Sequence, residues 1–159
     1  AEYGEAESMA VGYLKGQKHV DIYGEGPLME SLSFRIGQLG LNNFISLKGY
    51  VENDKLKPLY KNYNLAIQPS LTEALSNGLI DLMIHNLPCV VSSAGGMKEV
   101  IIHKKNGLVF NIVNPIEIDN AILDALKIDF NELKKFNDQH KKKFDINKEI
   151  YHLEELYKQ

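Results

Sequence analysis

Two carboxylates stand around a predicted helix start in the segment Pro69–Gly96. Glu73 lies in a turn-prone stretch, and Asp81 follows it eight positions later within an apolar run. That run predicts a helix over about residues 76–85, and a helix N-terminus offers unpaired amides and the positive end of its dipole to an anion. The spacing therefore indicates a site where a diphosphate rests on the helix start, with one acid before it and the other farther along.

Alternating strands and helices must carry these groups. Short apolar runs that end in turn residues predict strands in "HVDIY", "NFISLKG", "NLAIQPS", "CVVSS" and "NGLVF". Helical spacing predicts helices over residues 1–15, between Pro27 and Gly40, through "DKLKPLYKNY" with Asn53 as its cap, over residues 76–85, at "KEVI", through "NPIEIDNAILDAL" and along the polar tail from Asp129. Pro58 removes one amide, so the helix capped by Asn53 is expected to start late or bend. The alternation predicts an α/β fold, a doubly wound parallel sheet with helices on both faces.

Three loops follow predicted strands and have the character of ligand-binding loops. They are "GEGP" at residues 24–27, "PSLTEALSNG" at residues 69–78 and "SSAGGMKE" at residues 92–99. In an open parallel sheet, ligands bind at the carboxyl ends of the strands, and glycine allows the backbone to approach them closely. The three loops together therefore predict a ligand site at this edge of the sheet.

Composition narrows the function classes. A chain of 159 residues can build one domain with a full core. The net charge of -3 gives no overall attraction to nucleic acid. Cys89 is the single cysteine, so it allows no internal disulfide, and its apolar context predicts a small buried side chain. The basic run "HKKKF" is expected to be a solvated helix face, with contact to an anionic membrane surface as the alternative.

The pattern of potential ligands indicates neither a metal site nor a cofactor. The sequence contains no Asp-x-Asp pair of the kind that holds a metal-bridged diphosphate. The histidines show no ligand spacing, and each is expected at the surface or partly packed: His19, His85, His103, His140 and His152. A diphosphate bound by helix amides alone needs no metal.

The segment Pro69–Gly96 resembles the donor-site signature of the group 1 glycosyltransferases, a large retaining family with the GT-B fold. That signature runs Pro-Ser, a two-residue gap, Glu, seven residues, Glu, a Gly-Leu-Pro-like turn, an apolar strand and Gly-Gly. Here it reads Pro69-Ser70, Glu73, Asp81, Asn86-Leu87-Pro88, Cys89–Ser93 and Gly95-Gly96. The stretches "IYGEGPL", "ISLKGYV", "LYKNYNLAIQPS" and "GGMKEVIIHKKNGLVF" are similar to further family segments in order and spacing. The resemblance thus runs from about His19 to Leu126.

The resemblance implies a Rossmann-like domain that binds a nucleotide-sugar and transfers its hexosyl group without a cofactor. It assigns Glu73 to catalysis, where it would orient the sugar hydroxyls and offset positive charge on the ring. It assigns Asp81 to the ribose hydroxyls, although aspartate in place of the family's glutamate shortens the reach by one methylene. Asn86 replaces a glycine and tolerates the same left-handed geometry. The remaining donor-binding residues that it implies are Leu75, Ser76, Asn77, Gly78, Leu79, Gly24, Gly26, Gly49, Tyr50 and Val51.

The resemblance also implies a domain organisation. Residues 1–159 are expected to be one domain, the carboxy-terminal half of a GT-B enzyme, without its first strand or the loop that carries the family's basic pair. The amino-terminal domain, which would hold a glycan or lipid acceptor, is expected to be absent, so the isolated chain is expected to be inactive. The expected setting is bacterial polysaccharide biosynthesis in the cytoplasm, with a peripheral position at the inner face of the plasma membrane as an alternative.

Two other functions remain open at this point. A nucleotide-sugar epimerase with the GT-B architecture would share these motifs and take its acid and base from the other half. A doubly wound binding module without catalytic activity would share the fold alone. The sheet edge that a missing first strand would expose argues against a module complete in itself.

Overall fold

The computed structural model describes residues 19–71 and 76–145, which alternate between strands and helices as the sequence predicts. The strands are β1 Val20–Tyr23, β2 Ile45–Gly49, β3 Ala66–Gln68, β4 Cys89–Ser92 and β5 Gly107–Phe110. The helices are α1 Met29–Gln38, α2 Asn53–Leu56, α3 Asn77–Ile84, α4 Met97–Val100, α5 Pro115–Ala125 and α6 Phe130–His140, with 3₁₀ helices at Lys57–Asn62 and Lys141–Phe144. The helix predicted over residues 1–15 and the tail beyond residue 145 lie outside the described residues.

The five strands are all parallel, but they form two groups. β1 pairs with β2, and Val20 lies opposite Ile45. The second group has the order β3-β4-β5. Within residues 19–71 and 76–145 no strand pairing joins β1 to β3, so the parallel strands form two separately paired groups. Val20 still packs against the apolar cluster that contains Leu65 and Ile67, so the two groups share an interior.

Strand β4 shows that helices cover both faces of the sheet. All four of its residues are buried. Cys89 and Val91 join a cluster with residues of α3 and α4, whereas Val90 joins a cluster with Ala121 of α5. Because successive side chains of a strand point to opposite faces, these clusters lie on the two sides of the sheet. The doubly wound architecture is therefore confirmed.

The helix between β2 and β3 departs from its predicted start. The N-cap residue is Glu52, one position before the predicted cap Asn53, and its side chain makes no capping hydrogen bond. The α-helix ends at Leu56, and the chain continues as a 3₁₀ helix with Pro58 in its first turn. Pro58 has no amide to donate, and the α-helical hydrogen bonding stops just before it, so the change to a 3₁₀ helix takes the place of the late start that the sequence allowed.

Two features of α1 can be compared with its sequence pattern. Gly40 has φ +67° just beyond the helix, where glycine commonly ends helices, as predicted. Ile36 is buried, but Leu28 and Leu39, which share its helical spacing, are 73% and 53% exposed. The apolar stripe of α1 is therefore only partly covered by the described residues.

Strands β4 and β5 lie in close contact at Gly107 and Cys89. A Cβ atom on Gly107 would lie 2.1 Å from the carbonyl oxygen of Cys89, so only glycine fits there. Cys89 is buried, as predicted, and burial raises the pKa of its thiol to about 12. A neutral thiol packed at this depth acts as a small apolar side chain.

A buried amide cluster, formed by the side chains of Asn106 and Asn137, connects helix α6 to helices α3 and α4. The Asn137 side-chain amide donates to the carbonyl oxygen of Met83 at 3.0 Å and to Asn86 Oδ1 at 3.2 Å. Its oxygen accepts from Asn106 Nδ2 at 2.9 Å, and Asn106 Nδ2 also donates to the carbonyl oxygen of Val100. One side chain of α6 thereby fixes the end of α3 and, through Asn106, the end of α4.

We expect Asn137→Ala to lower the free energy of unfolding by about 2–3 kcal/mol, because it leaves several buried polar groups without partners. Urea denaturation followed by circular dichroism measures the change. Lys135→Ala, an exposed substitution on the same helix, is the control and should change stability by less than about 0.5 kcal/mol. Equal stability of the two variants would contradict a stabilising role for the amide cluster.

Candidate functional site

The loops after β1 and β2 meet at the carboxyl edge of the sheet. The amide of Gly24 donates to the carbonyl oxygen of Gly49 at 2.9 Å. Both residues have positive φ, +135° and +69°, which other residues rarely adopt. The structure thus brings together two predicted glycines from different loops. Gly26 accepts from the amide of Met29 at the start of α1, and Tyr50 is 58% exposed beside them.

The start of α3 lies where the sequence predicts a helix start, and a side chain caps it. Ser76 is the N-cap, and its hydroxyl oxygen accepts from the amide of Leu79 and from Gln68 Nε2, each at 3.2 Å. The first helical hydrogen bond runs from Ile80 to the carbonyl oxygen of Ser76, so the amides of Asn77 and Gly78 precede it. These amides lie at the positive end of the helix dipole.

Leu79 and Val51, which the resemblance assigns to donor binding, pack in or against the core. The Leu79 side chain is fully buried and its amide is occupied by the Ser76 hydroxyl, so Leu79 stabilises the helix start. Val51 is half-buried and packs against the core cluster that includes Leu79 and Met83. Glu73 and Leu75 lie outside the described residues.

Asp81 projects from α3 toward the 3₁₀ helix that precedes β3. Its carboxylate lies 3.5 Å from the ammonium of Lys57, and its side chain is 26% exposed. The backbone oxygen of Asp81 accepts from the amide of His85 and lies 2.7 Å from His85 Nδ1. Asp81 is thus a half-buried acid with a cation from a different element beside it.

Tyr60 forms the apolar side of this acid's surroundings. It is buried, and its ring packs edge-on against His85 with ring centroids 5.3 Å apart. Burial first, and then the negative charge of Asp81, raise the pKa of the Tyr60 hydroxyl to about 12. Tyr60 therefore stays neutral near Asp81.

A hydrogen bond between neighbouring strands fixes the third loop. Ser92, at the end of β4, donates to the carbonyl oxygen of Ser70, which follows β3. The predicted glycine pair comes next: Gly95 has φ +50°, and Gly96 is the N-cap of α4. The loops after β3 and β4 therefore leave the same edge of the sheet side by side.

A second polar cluster covers one face of the β1–β2 pair. Tyr63 donates to the buried Asp21 carboxylate at 2.6 Å, so Tyr23, whose hydroxyl lies 2.5 Å away, must donate to Tyr63. His19 and Lys48 lie 3.3 Å and 3.6 Å from the other Asp21 oxygen. Burial, and then the hydrogen bond to Asp21, raise the pKa of Tyr63. A pocket of ≈ 590 Å³ opens beside this cluster.

Neither metal ligands nor a membrane span stand out in the part of the chain that the structure describes. There, no three His, Cys, Asp or Glu side chains converge closely enough to hold a metal ion. The same residues include no helix with the length and apolar character needed to cross a bilayer. The Lys142 and Lys143 side chains of the basic run are exposed, as predicted for a solvated face, whereas His140 is buried and bonds to carbonyl oxygens of α4.

Comparison with known proteins identifies the family. Residues 9–143 match the model of the family described as "Glycosyl transferases group 1". The chain belongs to this glycosyltransferase family. The resemblance in the donor-site motif and the loop geometry described above agree with this membership.

This glycosyltransferase chain is also similar to individual relatives and solved structures. It is 35% identical over 97 residues to an uncharacterized glycosyltransferase of Methanocaldococcus jannaschii. The matched segment covers 61% of this chain and 25% of that protein. The structure of the chain resembles sucrose-phosphate synthase of Thermosynechococcus elongatus with a TM-score of 0.72 at 18% identity, over 87% of the chain and 37% of that protein. It also resembles HepE of Anabaena in complex with UDP, with a TM-score of 0.70 at 21% identity, over 87% and 41%. These likenesses show the GT-B glycosyltransferase fold. The chain matches about a quarter of the length of the curated relative from Methanocaldococcus jannaschii.

Sequence reasoning missed three residues that support the candidate site. Gln68 is buried at the end of β3 and bonds to the N-cap Ser76. Lys57 contacts Asp81 across 24 positions of sequence. Asn137 fixes the far end of α3 from 51 positions beyond Asn86. Gln68 could have been found as the polar residue that ends an otherwise apolar strand, but the sequence has no pattern that pairs Lys57 with Asp81.

We expect Ser76→Ala to lower the free energy of unfolding by about 1 kcal/mol, because the Leu79 amide and Gln68 lose their acceptor. Ser76→Gly should lower the free energy of unfolding by only a few tenths of a kcal/mol, since glycine is tolerated as an N-cap. Urea denaturation measures both, with Ser33→Ala on the exposed side of α1 as the control. A loss for Ser76→Ala no larger than that for Ser33→Ala would show that the cap contributes nothing.

Proposed function

We propose that this chain is the donor-binding part of a retaining glycosyltransferase that moves a hexosyl group from a nucleoside-diphosphate sugar to a glycan or lipid acceptor. The observation that carries the proposal is the arrangement of α3. Its capped N-terminus and Asp81 lie on one helix, in a chain of the group 1 glycosyltransferase family. Proteins with similar structures include one crystallised with UDP, which supports a nucleotide-containing donor.

The start of α3 supplies the seat for the diphosphate. The amides of Asn77 and Gly78 precede the first helical hydrogen bond and carry the positive end of the dipole. As the bond to the sugar breaks, negative charge grows on the leaving phosphate. Amides that are already oriented stabilise this charge without further reorganisation. The transfer then needs no metal, and the nucleotide-sugar is a substrate in place of any cofactor.

The two acids take the other parts of the donor. Glu73 orients the sugar hydroxyls and offsets positive charge on the oxocarbenium-like ring, and it is not assigned as a nucleophile. Asp81 accepts hydrogen bonds from the ribose hydroxyls. Gly24, Gly26 and Gly49 lie in joined loops at the same edge and line the nucleotide end of the site. The helix then spans the distance between the sugar and the ribose.

The proposed enzyme contains more than this chain. A GT-B active site lies between two domains, and the chain matches about a quarter of its curated relative. We propose that the second domain holds the acceptor and that a further parallel strand lies between β1 and β3, which do not pair with each other among the described residues. A strand there would carry the basic loop that the resemblance implies. The donor class places the enzyme in the cytoplasm, beside the inner face of the membrane where the acceptor is a lipid.

Product analysis and nucleotide binding test the function. The intact enzyme should release nucleoside diphosphate only when it glycosylates an acceptor, whereas an epimerase would invert the sugar without an acceptor. The isolated chain should release none and bind UDP, GDP or ADP with a dissociation constant of about 0.1 mM or weaker, because exposed helix amides contribute little each. Calorimetry that detects no nucleotide binding at millimolar concentrations would support a binding module in place of a transferase.

Glu73→Ala should reduce turnover of the intact enzyme by at least about 100-fold, since it removes a contact that acts in the transition state. Steady-state release of nucleoside diphosphate measures the change. Glu30→Ala, an exposed acid on α1, is the control and should leave turnover unaltered. Near-normal turnover of the Glu73 variant would refute its catalytic assignment.

Asp81→Asn should raise KM for the donor and leave kcat nearly unchanged, because the ribose is bound alike in the ground state and the transition state. Initial rates over a range of donor concentrations separate the two constants. Asp119→Asn, which removes an exposed carboxylate from α5, serves as the matched control. A large fall in kcat at constant KM would place Asp81 in the chemical step and contradict its ribose role.

A further inference from the structure

Lys57 stands beside Asp81 although it is remote from α3 in sequence. Its ammonium lies 3.5 Å from Asp81 Oδ2 and 3.7 Å from Asp54 Oδ1. Among the residues that the structure describes, it is the only cationic side chain within 4.0 Å of Asp81. The Asp81 carboxylate therefore depends on a different element for its nearest positive charge.

The backbone around Lys57 is held in place from both sides. Lys57 is the C-cap of α2, where its amide donates to the carbonyl oxygen of Asn53. Pro58 follows at once and fixes its own φ. Leu56 and Tyr60, on either side of this pair, are both buried in the core. A lysine on so constrained a backbone loses less freedom when it forms an ion pair than one on a mobile loop.

The two ion pairs of Lys57 differ in strength. The Asp54 side chain is 96% exposed, so water screens its attraction to the ammonium. Asp81 is 26% exposed, and its charge acts on the hydroxyl of the buried Tyr60, so water screens it less than Asp54. Asp81 is therefore the preferred partner, and Lys57 restricts the rotation of its carboxylate.

We propose that Lys57 is a positioning residue that holds the Asp81 carboxylate toward a vicinal diol, so that the pair distinguishes a ribonucleotide from a 2′-deoxyribonucleotide. This inference rests on the proposed function. A carboxylate has about four lone-pair sites, so the contact at Oδ2 leaves Oδ1 open to a hydroxyl. The ammonium has three N–H donors and can donate to an oxygen of the same diol. An acid and a cation together match a diol, whose hydroxyls both donate and accept.

The position of Lys57 also accounts for how the shorter acid can serve. Aspartate has one methylene and one rotatable bond fewer than glutamate, so its carboxylate has fewer directions in which it can reach a ligand. A cation on the neighbouring element fixes that direction by attraction. The carboxylate then needs no reordering when the nucleotide arrives, which reduces the entropic cost of binding.

Calorimetry with this chain tests the inference on UDP, GDP and ADP and on their 2′-deoxy counterparts. The unmodified chain should prefer the tightest-bound ribonucleotide over its deoxy form by about threefold to fivefold, the range that one half-exposed pair can supply. Lys57→Met should bring the ratio of the two dissociation constants close to one, and Lys57→Arg should restore the preference for the ribonucleotide. Asp54→Asn removes the weaker partner and should leave the ratio unchanged. Inorganic pyrophosphate, which has no diol, should bind all four proteins equally.

The outcomes separate the inference from the function on which it rests. An unchanged ratio in Lys57→Met, or an equal loss in Asp54→Asn, would overturn the role of Lys57 while the proposed donor site stands. Failure of the unmodified chain to bind any of the three ribonucleotides would overturn the donor site and, with it, this role. Thermal denaturation of Lys57→Met checks that a lost ratio does not reflect unfolding.

Discussion

The burial of strand β4 on both faces is the constraint on which the rest of the structure depends. Cys89, Val90 and Val91 can leave water only if helices pack against both sides of the sheet. Helices can reach both sides only if each connection crosses between parallel strands. Parallel strands in turn place their carboxyl ends at one edge, where the loops after β1 and β2 contact each other and the loops after β3 and β4 contact each other. The site follows from the way the core is buried.

Helix α3 links this core to the site. Its buried side, with Leu79, Leu82 and Met83, packs into the cluster beneath it, whereas the Asp81 side chain is partly exposed. Helix α6 holds the opposite end of α3 through Asn137. A helix fixed at its far end can present its N-terminus in one orientation, which is the condition for amides to stabilise charge without moving. The amide cluster is therefore connected to the proposed diphosphate site through a helix of eight residues.

Much of the fold could be predicted from sequence because its signals are local. Short apolar runs and turn residues located the five strands of the described residues, and Gly40 and the helix start near Ser76 were interpreted correctly from single positions. The cap of α2 was placed one residue late, because Asn53 has the stronger intrinsic preference for that position but Glu52 occupies it. The gap between β1 and β3 was not visible in the strand pattern itself, since pairing between strands depends on contacts far apart in sequence.

The site was predicted less completely for the same reason. Spacing predicted the helix start near Ser76 and the glycine loops, and family resemblance supplied the roles proposed for Glu73 and Asp81. Neither could find the cation beside Asp81, because the contact with Lys57 depends on how a 3₁₀ helix packs against α3. The polar row of His19, Asp21 and Tyr23 could have been noticed, since alternating polar residues are unusual in a parallel strand.

The amide cluster behind α3 also bears on the chemical lifetime of the chain. Asn106 is followed by Gly107, and glycine leaves a peptide nitrogen open to attack the preceding asparagine side chain, which converts it to a succinimide and then to an acid. Here the Asn106 side chain is held at both ends: its oxygen accepts from the Ile102 amide, and its nitrogen donates to Val100 and Asn137. A carboxamide fixed in this way cannot turn toward the next nitrogen. The bonds that hold α6 in place therefore also protect the chain against slow deamidation, and ageing at this position should begin with local opening of α6.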